Sequence, residues 1–188
     1  MLEGKLVTLR SLEQTDLDRS FTWANDAEVT HFLTSLRYPL SRADEERWLD
    51  DAPRNGLAGG VRLAIDTKSG EHIGNINLHR AHPEDSKAGL GIMIGDTSYW
   101  SKGYGTDAII TLLRFAFHEM NLHRVWLQVL EDNERAIACY RQCGFQEETR
   151  LRQEVFRTGR YWDVFTMGIL RSEFEALHGA PATAGAEV

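Results

Sequence analysis

Short stretches in which apolar residues alternate with polar ones, or run together, predict strands in the first half of the chain. These stretches are residues 6–10, 61–66, 71–79 and 88–94. Lys68-Ser69-Gly70 separates the second stretch from the third and predicts a hairpin turn. Gly89 and Gly91 interrupt the fourth stretch, and glycine inside a strand marks a bulge or a close approach to the backbone.

Apolar residues that recur every three or four positions predict helices. The pattern is clearest from Ala108 to Met120, directly after two closely spaced glycines. Shorter stretches of the same kind occupy residues 17–24, 42–49 and 133–142. Gly144 then stands where a left-handed helix cap is expected. Further strands are predicted at 125–130 and 161–170, and an extended segment begins at Phe145.

The order of these elements predicts a single α/β domain over residues 1–178, because 188 residues are enough for one well-packed core. Strands come first, and strands and helices then alternate. This order favours a mixed central sheet of about six to seven strands flanked by helices, with a parallel pair around the long helix. Residues 53–60 are rich in glycine and predict a loop. Residues 179–188 predict a flexible tail outside the domain.

Charge and composition exclude some classes of function. The formal net charge is −7, and the basic residues form no stripe, so we expect no nucleic-acid partner. The acidic balance weakly favours cationic substrates. No apolar run approaches the length that spans a bilayer, and the N-terminus has no signal-peptide pattern. Cys139 and Cys143 lie four residues apart in a predicted helix, which suits two small buried side chains in a reducing compartment. We therefore expect a cytoplasmic protein.

The segment Lys102-Gly103-Tyr104-Gly105-Thr106 follows a strand and opens the long helix. Its glycines allow successive N–H groups to point into one concavity, and the helix N-terminus adds about half a positive charge. Such a turn can bind phosphate oxygens. Taken alone, such a sequence is more often a tight turn than a phosphate site. A Walker loop is excluded because no Lys-Ser/Thr follows the last glycine. A nucleotide fingerprint survives on spacing, but no early parallel βαβ unit precedes it.

A second motif runs from Asn133 to Phe145. Asn133 stands at the expected N-cap of a helix, and Tyr140, seven residues later, projects on nearly the same side. A capping asparagine and a packing tyrosine would explain both residues without any function.

Taken together, the two motifs resemble the GNAT superfamily of N-acetyltransferases, over roughly residues 5–170. The most specific matches are Trp100 to Thr106 and Asn133-x-x-Ala136-x-x-x-Tyr140-x-x-x-Gly144-Phe145. Val7-Thr8-Leu9-Arg10, with Trp23 and Trp48, is similar to the branch that includes the bacterial ribosomal-protein N-terminal acetyltransferases. Residues 154–163 are similar to both that branch and the spermidine N-acetyltransferases. The family turn usually begins with Gln or Arg, where this chain has Trp100.

The resemblance implies a GNAT-like fold in which a splayed strand pair and the glycine turn bind acetyl-CoA. The residues it assigns to the cofactor are Ile92, Met93, Ile94, Ser101, Lys102, Gly103, Tyr104, Gly105, Thr106, Asn133, Ala136 and Tyr140. The first three would lie along the pantetheine arm, and Tyr140 would lie near the thioester sulfur.

The resemblance also implies transfer of acetyl to a primary amine, which is a protein N-terminus, a polyamine or a small-molecule amine. Tyr140 would protonate the departing thiolate, and a backbone N–H near Met93 would stabilise the oxyanion. The resemblance does not assign the general base to one residue. His79 is the candidate in the preceding strand, with His82, Glu84 and Asp85 just downstream. His79 and His82 have metal-ligand spacing, but no further ligand is evident and we expect no metal.

Two other classes of function stay open at this point. One is a non-catalytic acyl-CoA-binding regulatory module on the same scaffold, which retention of Tyr140 argues against. The other is a nucleotide-binding domain that uses the glycine turn. Several aromatic residues are expected either to line an acceptor cleft or to pack in the core: Trp23, Trp48, Trp100, Tyr161 and Trp162. The last strand would suit a homodimer.

Overall fold

A computed structural model of the protein describes residues 1–35, 38–50, 60–82 and 84–180. The strands are β1 (Leu2–Glu3), β2 (Val7–Ser11), β3 (Val61–Thr67), β4 (His72–His82), β5 (Lys87–Ile94), β6 (Arg124–Leu130), β7 (Gln146–Arg157) and β8 (Arg160–Leu170). The helices are α1 (Leu17–Ala24), α2 (Ala27–Thr30), α3 (Arg42–Asp50), α4 (Tyr104–His118), α5 (Glu134–Cys143) and α6 (Arg171–His178).

Most of the predicted elements are confirmed to within a few residues. The prediction omitted β1, which has only two residues, and the short helix α2. It also omitted α6, in which Phe174 is the one buried residue and the periodic signal is therefore weak. The loop predicted at 53–60 lies outside the described residues except for Gly60. The predicted tail lies outside them from residue 181 onward.

The described strands form one eight-stranded sheet in the order β1-β2-β3-β4-β5-β6-β8-β7. The expected six to seven strands become eight because of β1. Every neighbouring pair is antiparallel except β5 and β6, which run parallel on either side of the α4 connection. The expected mixed sheet with a parallel pair around the long helix is therefore confirmed.

Helix α4 supplies much of the core. Its 15 residues present one apolar stripe, and the side chains of Ala108, Ile109, Leu112, Leu113 and Ala116 are fully buried. They pack with apolar side chains of the sheet, namely Ile76, Leu78, Val125, Leu127 and Val129. The position of α4 is thus fixed against β4 and β6.

The start of α4 is also tied to the N-terminal strands. The carboxylate of Asp107, in the first turn of the helix, accepts hydrogen bonds from the backbone N–H groups of Lys5, Leu6 and Val7, at 3.1, 2.7 and 3.0 Å. These bonds hold the β1–β2 connection against the helix start. Within the described ranges, no helix is long and apolar enough to cross a membrane.

Candidate active site

The parallel strands β5 and β6 separate part of the way along their length. They pair from Lys87 with Arg124 to Gly89 with Trp126, and their pairing stops there. Beyond that point β5 stays bonded to β4, and β6 stays bonded to β8. A wedge-shaped gap therefore opens between the two strands, which is the splayed pair that the family resemblance implies.

The register of β5 decides which backbone groups point into this gap. The N–H of Gly95 donates to the Ile73 carbonyl at 2.9 Å, which makes these two residues a hydrogen-bonded pair. Such pairs alternate in an antiparallel ladder, so Met93 is hydrogen-bonded to Asn75. The N–H of Met93 therefore points toward β4, and the N–H groups of Ile92 and Ile94 point into the gap. By this register, the oxyanion donor expected near Met93 would be the N–H of Ile92 or Ile94 and not that of Met93 itself.

A cleft of about 1030 Å³ runs along the gap. The predicted site residues that line it are His79, Ile92, Met93, Ile94, Ser101, Gly103, Gly105, Thr106, Asn133, Ala136 and Tyr140. Two predicted residues do not line it with their side chains. Lys102 is exposed, and the ring of Tyr104 packs edge-on against Tyr99 with the centroids 5.0 Å apart.

The turn before α4 is shaped to hold an anion. Gly103 is the N-cap with φ of +86° and has no side chain to cap the helix. The N–H groups of Tyr104, Gly105 and Thr106 precede the first intrahelical bond, which Asp107 donates to Gly103. These donors and the positive end of the helix dipole meet at the cleft. The geometry fits the pyrophosphate of CoA.

Trp100, the departure from the usual family turn, connects the turn to the end of β5. Its indole Nε1 donates to the carbonyl of Ile94 at 2.8 Å. The guanidinium of Arg135, at the start of α5, lies 3.6 Å from the centroid of the Trp100 ring. Arg135 also lines the cleft, and the sequence motifs did not single it out.

Helix α5 forms the opposite wall of the gap. Asn133 is its N-cap, since Oδ1 accepts from the N–H of Ala136 at 3.2 Å, and Gly144 ends it with φ of +104°. Both predicted caps are confirmed. Tyr140 is 9 % exposed and packs edge-on against Phe145. Burial raises the pKa of Tyr140, so the phenol is protonated at neutral pH.

A row of polar side chains on β4 faces the cleft. Asn75, Asn77 and His79 alternate with buried apolar residues and therefore share one face of the sheet. A β-carbon on Gly89 would lie 2.6 Å from His79 Nε2, and one on Gly91 would lie 2.9 Å from Asn77 Oδ1. The close approach expected at the two glycines is confirmed, and it is made by these side chains.

The hydrogen bond between His79 and Asn77 sets the state of the imidazole. His79 Nδ1 and Asn77 Oδ1 are 3.1 Å apart. Because the amide oxygen only accepts, Nδ1 carries the proton, and in the neutral ring Nε2 carries the lone pair. Nε2 lies over Gly89, where the pairing of β5 and β6 ends. The alternation Asn75-x-Asn77-x-His79 was the sequence signal that could have found this polar row.

The remaining candidate bases lie elsewhere. His82 and Glu84 are exposed, and Asp85 forms an ion pair with Lys87 at 2.6 Å. Only His79 of the four lines the cleft. Among the described residues, no three His, Cys, Asp or Glu side chains lie together in a metal-binding arrangement.

The aromatic candidates divide between the cleft and other surroundings. Trp48 and Trp100 line the cleft. Trp23 is buried edge-on against His72, at 4.9 Å, and is part of the core. Tyr161 is 60 % exposed, and Trp162 stacks against Arg160 with the guanidinium carbon 3.3 Å from the ring centroid.

The two cysteines are free, as expected, but only Cys143 is fully buried. Cys139 lines the cleft, and its Sγ lies 3.2 Å from Thr106 Oγ1. The hydrogen bond with Cys143 lowers the pKa of Cys139, against the opposing effect of burial. Cys139 thus packs against the core as expected but is only partly buried, because it also faces the cleft.

Comparisons with known proteins agree with this geometry. The family model described as "Acetyltransferase (GNAT) domain" matches residues 7–146. The spermidine N(1)-acetyltransferase of Vibrio cholerae is 30% identical over 168 residues, which are 89% of this chain and 95% of that protein. The spermidine N(1)-acetyltransferase of Escherichia coli K12 is 29% identical, over 93% of this chain and 91% of that protein.

A solved structure supports the same relationship. The crystal structure of the Vibrio cholerae spermidine N-acetyltransferase in complex with CoA and spermine superposes with a TM-score of 0.82. The two proteins are 28% identical, and the match covers 91% of this chain and 99% of that one. The splayed strands, the glycine turn and these matches all indicate the same family. The chain belongs to the GNAT acetyltransferase family and is an acetyl-CoA-dependent N-acetyltransferase.

Proposed function

We propose that the protein transfers acetyl from acetyl-CoA to the primary amine of a polyamine-like acceptor, by direct attack within a ternary complex. The observation that carries this proposal is the position of His79 Nε2 at the opening between β5 and β6, in the same cleft as Tyr140. The relatives named as spermidine acetyltransferases support the acceptor class.

A protein N-terminus is the second candidate acceptor. The Val7-Thr8-Leu9-Arg10 opening, with Trp23 and Trp48, resembles the ribosomal-protein N-terminal acetyltransferase branch. Both acceptors present a primary amine, so the two candidates share one mechanism and differ in what surrounds the amine.

Bound acetyl-CoA supplies an acetyl thioester. The pyrophosphate-binding groups are the N–H donors of Tyr104, Gly105 and Thr106, and the backbone of Ile92 to Ile94 lies along the pantetheine arm. The amide Nδ2 of Asn133 is available for the same arm, because its Oδ1 caps the helix. Residues 1–178 form the domain that holds these groups.

His79 acts as the general base. An alkyl ammonium cannot attack a carbonyl carbon until it loses a proton. Nε2 of His79 accepts that proton, and the bond from Nδ1 to Asn77 keeps the ring in the required tautomer. The amine nitrogen then forms its bond to the acetyl carbon.

The charge that develops on the acetyl oxygen is stabilised by the N–H of Ile92, which points into the gap. As the carbon–sulfur bond breaks, the Tyr140 hydroxyl donates its proton to the sulfur. A phenol whose pKa is raised by burial stays protonated at neutral pH and can perform this step.

A thiol-release assay with acetyl-CoA tests the proposal. The panel should contain spermidine, peptides with free N-termini, and simple alkyl amines. Thiol release with spermidine above the peptides supports the polyamine-like acceptor, and the opposite order supports the N-terminal branch. Tight acetyl-CoA binding without thiol release from any amine would favour the non-catalytic regulatory module instead.

A further inference from the structure

Helix α3 places one carboxylate inside the cleft without a partner. Glu45 is 5 % exposed, although its neighbours Glu46 and Arg47 face the solvent. Glu45 lines the cleft wall. Its carboxylate makes no hydrogen bond or ion pair with any residue that the structure describes, and burial raises its pKa. A buried charge without a partner is costly, so this group is expected to have a partner in the working protein.

The other charged groups on this wall are already engaged. Asp44 accepts hydrogen bonds from Ser41 and pairs with Arg47 at 3.3 Å. Arg62, on β3, donates to the carbonyl of Trp48, and its guanidinium carbon lies 4.9 Å from the Trp48 ring centroid. The Arg62 guanidinium is not within ion-pair distance of Glu45, and Asp44 carries the same charge as Glu45. A cation that enters the cleft would therefore be the counter-charge for Glu45.

The surroundings of Glu45 favour an alkyl chain beside that cation. Five apolar or aromatic residues line the cleft on the same part of the chain, beside the polar residues Thr34, Ser35 and Asp44: Val29, Phe32, Leu33, Leu40 and Trp48. Such a wall packs against methylene groups and excludes water, which strengthens an ion pair inside it.

Glu45 lies away from the reacting groups. It stands one helical turn before Trp48, whose carbonyl contacts Arg62 of β3. Arg62 pairs with Asn77 of β4, and Asn77 pairs with Gly91 of β5. Since neighbouring strands are about 4.8 Å apart, β3 and the edge of the gap are separated by roughly 10 Å. His79 is close to the site of the reacting amine, whereas Glu45 is far enough away to bind a second charged group of the same acceptor molecule.

We infer that Glu45 binds a second cationic group of the acceptor, so that the cleft selects alkyl diamines and longer polyamines over monoamines. This inference rests on the proposed function, because it assumes that the cleft receives an amine acceptor.

The test compares Glu45→Gln with Glu46→Gln. Both variants remove one negative charge from α3, but Glu46 is exposed and its pair with Arg42, at 3.6 Å, lies outside the cleft. The acceptors are 1,5-diaminopentane and 1-aminopentane, which have equal chain lengths and differ only in the second amine. KM and kcat come from thiol release, and calorimetry of the diamine with the CoA-saturated protein gives a second readout that needs no turnover.

Glu45→Gln should raise the KM of the diamine, and weaken its calorimetric affinity, by about tenfold or more, since removing one member of a buried charge pair carries a cost of that size. The kcat for the diamine and the kcat/KM for the monoamine should change by less than about threefold. Glu46→Gln should stay close to the wild type for both amines.

Equal diamine affinity in Glu45→Gln and the wild type would overturn the inference. An equal loss of kcat/KM for the diamine and the monoamine would also overturn it, because Glu45 would then act on the reacting amine or on the shape of the cleft. A wild-type protein that releases no thiol with any amine would instead overturn the proposed function, and calorimetry would still report on Glu45. Glutamine is isosteric with glutamate, and an unchanged or raised unfolding temperature verifies that the fold is intact.

Discussion

The imidazole of His79 lies across the backbone of Gly89, with Nε2 only 2.6 Å from the place where a β-carbon on that residue would stand. No side chain larger than hydrogen fits at position 89 while His79 keeps this position. A carboxylate at position 89 is therefore incompatible with His79 in this position, so the glycine on β5 and the histidine on β4 depend on each other.

Gly89→Ala should displace the His79 ring and lower kcat by about tenfold or more, since a positioned general base contributes about 10² or more to the rate. Acetyl-CoA affinity should be nearly unchanged, because the turn and the α5 wall are untouched. Steady-state kinetics and calorimetry measure the two quantities.

A double-mutant cycle supplies the control for this prediction. In a His79→Ala background, Gly89→Ala should cost little further activity, because the ring that it displaces is already gone. Additive losses would show that Gly89 acts on the backbone of β5 and not through His79.

The two glycines of the turn before α4 should behave differently from each other. Gly103 has φ of +86°, whereas a β-carbon on Gly105 would make only ordinary contacts, at 3.9 Å, with Cys139 and Ile94. Gly103→Ala should therefore lower the unfolding free energy by about 1 kcal/mol or more. Gly105→Ala should leave the unfolding temperature nearly unchanged and weaken CoA binding, since its methyl group would stand among the phosphate donors.

Thermal unfolding without ligand and calorimetric titration with CoA separate the two effects. Gly105→Ala protein that binds CoA as well as the wild type would contradict the assignment of this turn to the pyrophosphate. A large loss of stability in the same variant would show that the glycine is required by the fold.

The sequence predicted the fold well where one local pattern decides an element. The α4 stripe and the caps at Asn133 and Gly144 are local features, and each was found in its expected place. The weak elements β1 and α6 owe their structure to packing on the rest of the chain. A pattern within two to eight residues cannot show such packing.

The site was predicted less completely, because several of its features depend on register and on distant contacts. Whether Met93 or Ile92 points its N–H into the gap depends on how β5 pairs with β4. The burial of Glu45 depends on how α3 lies against the cleft, and its sequence neighbours are all charged or exposed. The contact between Arg135 and Trp100 joins two elements far apart in the chain.

Tyr140→Phe should lower kcat by about 10²-fold, the usual contribution of a positioned acid, and should leave acetyl-CoA affinity within about threefold of the wild type. The ring itself stays, so the edge-on contact with Phe145 persists and stability should change little. Kinetics and calorimetry provide the measurements. Wild-type turnover in this variant would remove Tyr140 from the role of acid.

A buried charge network beside the site predicts how stability depends on pH. The guanidinium of Arg10 donates to Asp16 at 2.7 and 2.9 Å and to Asp66 at 2.7 Å. His72 Nδ1 lies 3.3 Å from Asp16, and His72 Nε2 is bonded to Asn75 Oδ1 at 2.9 Å. The network thus connects β2 and the start of α1 to the polar row of β4 that faces the cleft.

Burial alone would raise the pKa of Asp16, but the hydrogen bonds from Arg10 and from the N–H of Glu13 outweigh it and lower the pKa. An acid whose folded pKa is lowered stabilises the fold above its unfolded pKa, which is about 3.9 for aspartate, and this contribution is lost as the pH falls through the lowered value.

Asp16→Asn should therefore lower the unfolding free energy at pH 7 by about 2 kcal/mol or more, since the half-buried Arg10 loses its bidentate carboxylate partner and keeps only Asp66. The difference between the variant and the wild type should shrink as the pH falls below about 4, where the wild-type carboxylate also begins to lose its charge in the unfolded chain. Urea unfolding from pH 7 to pH 3 measures this difference. As a control, Asp18→Asn removes an exposed carboxylate that pairs with Arg42 and should change stability by less than about 1 kcal/mol. A difference that stays constant over the whole pH range would show that Asp16 acts through packing and not through its charge.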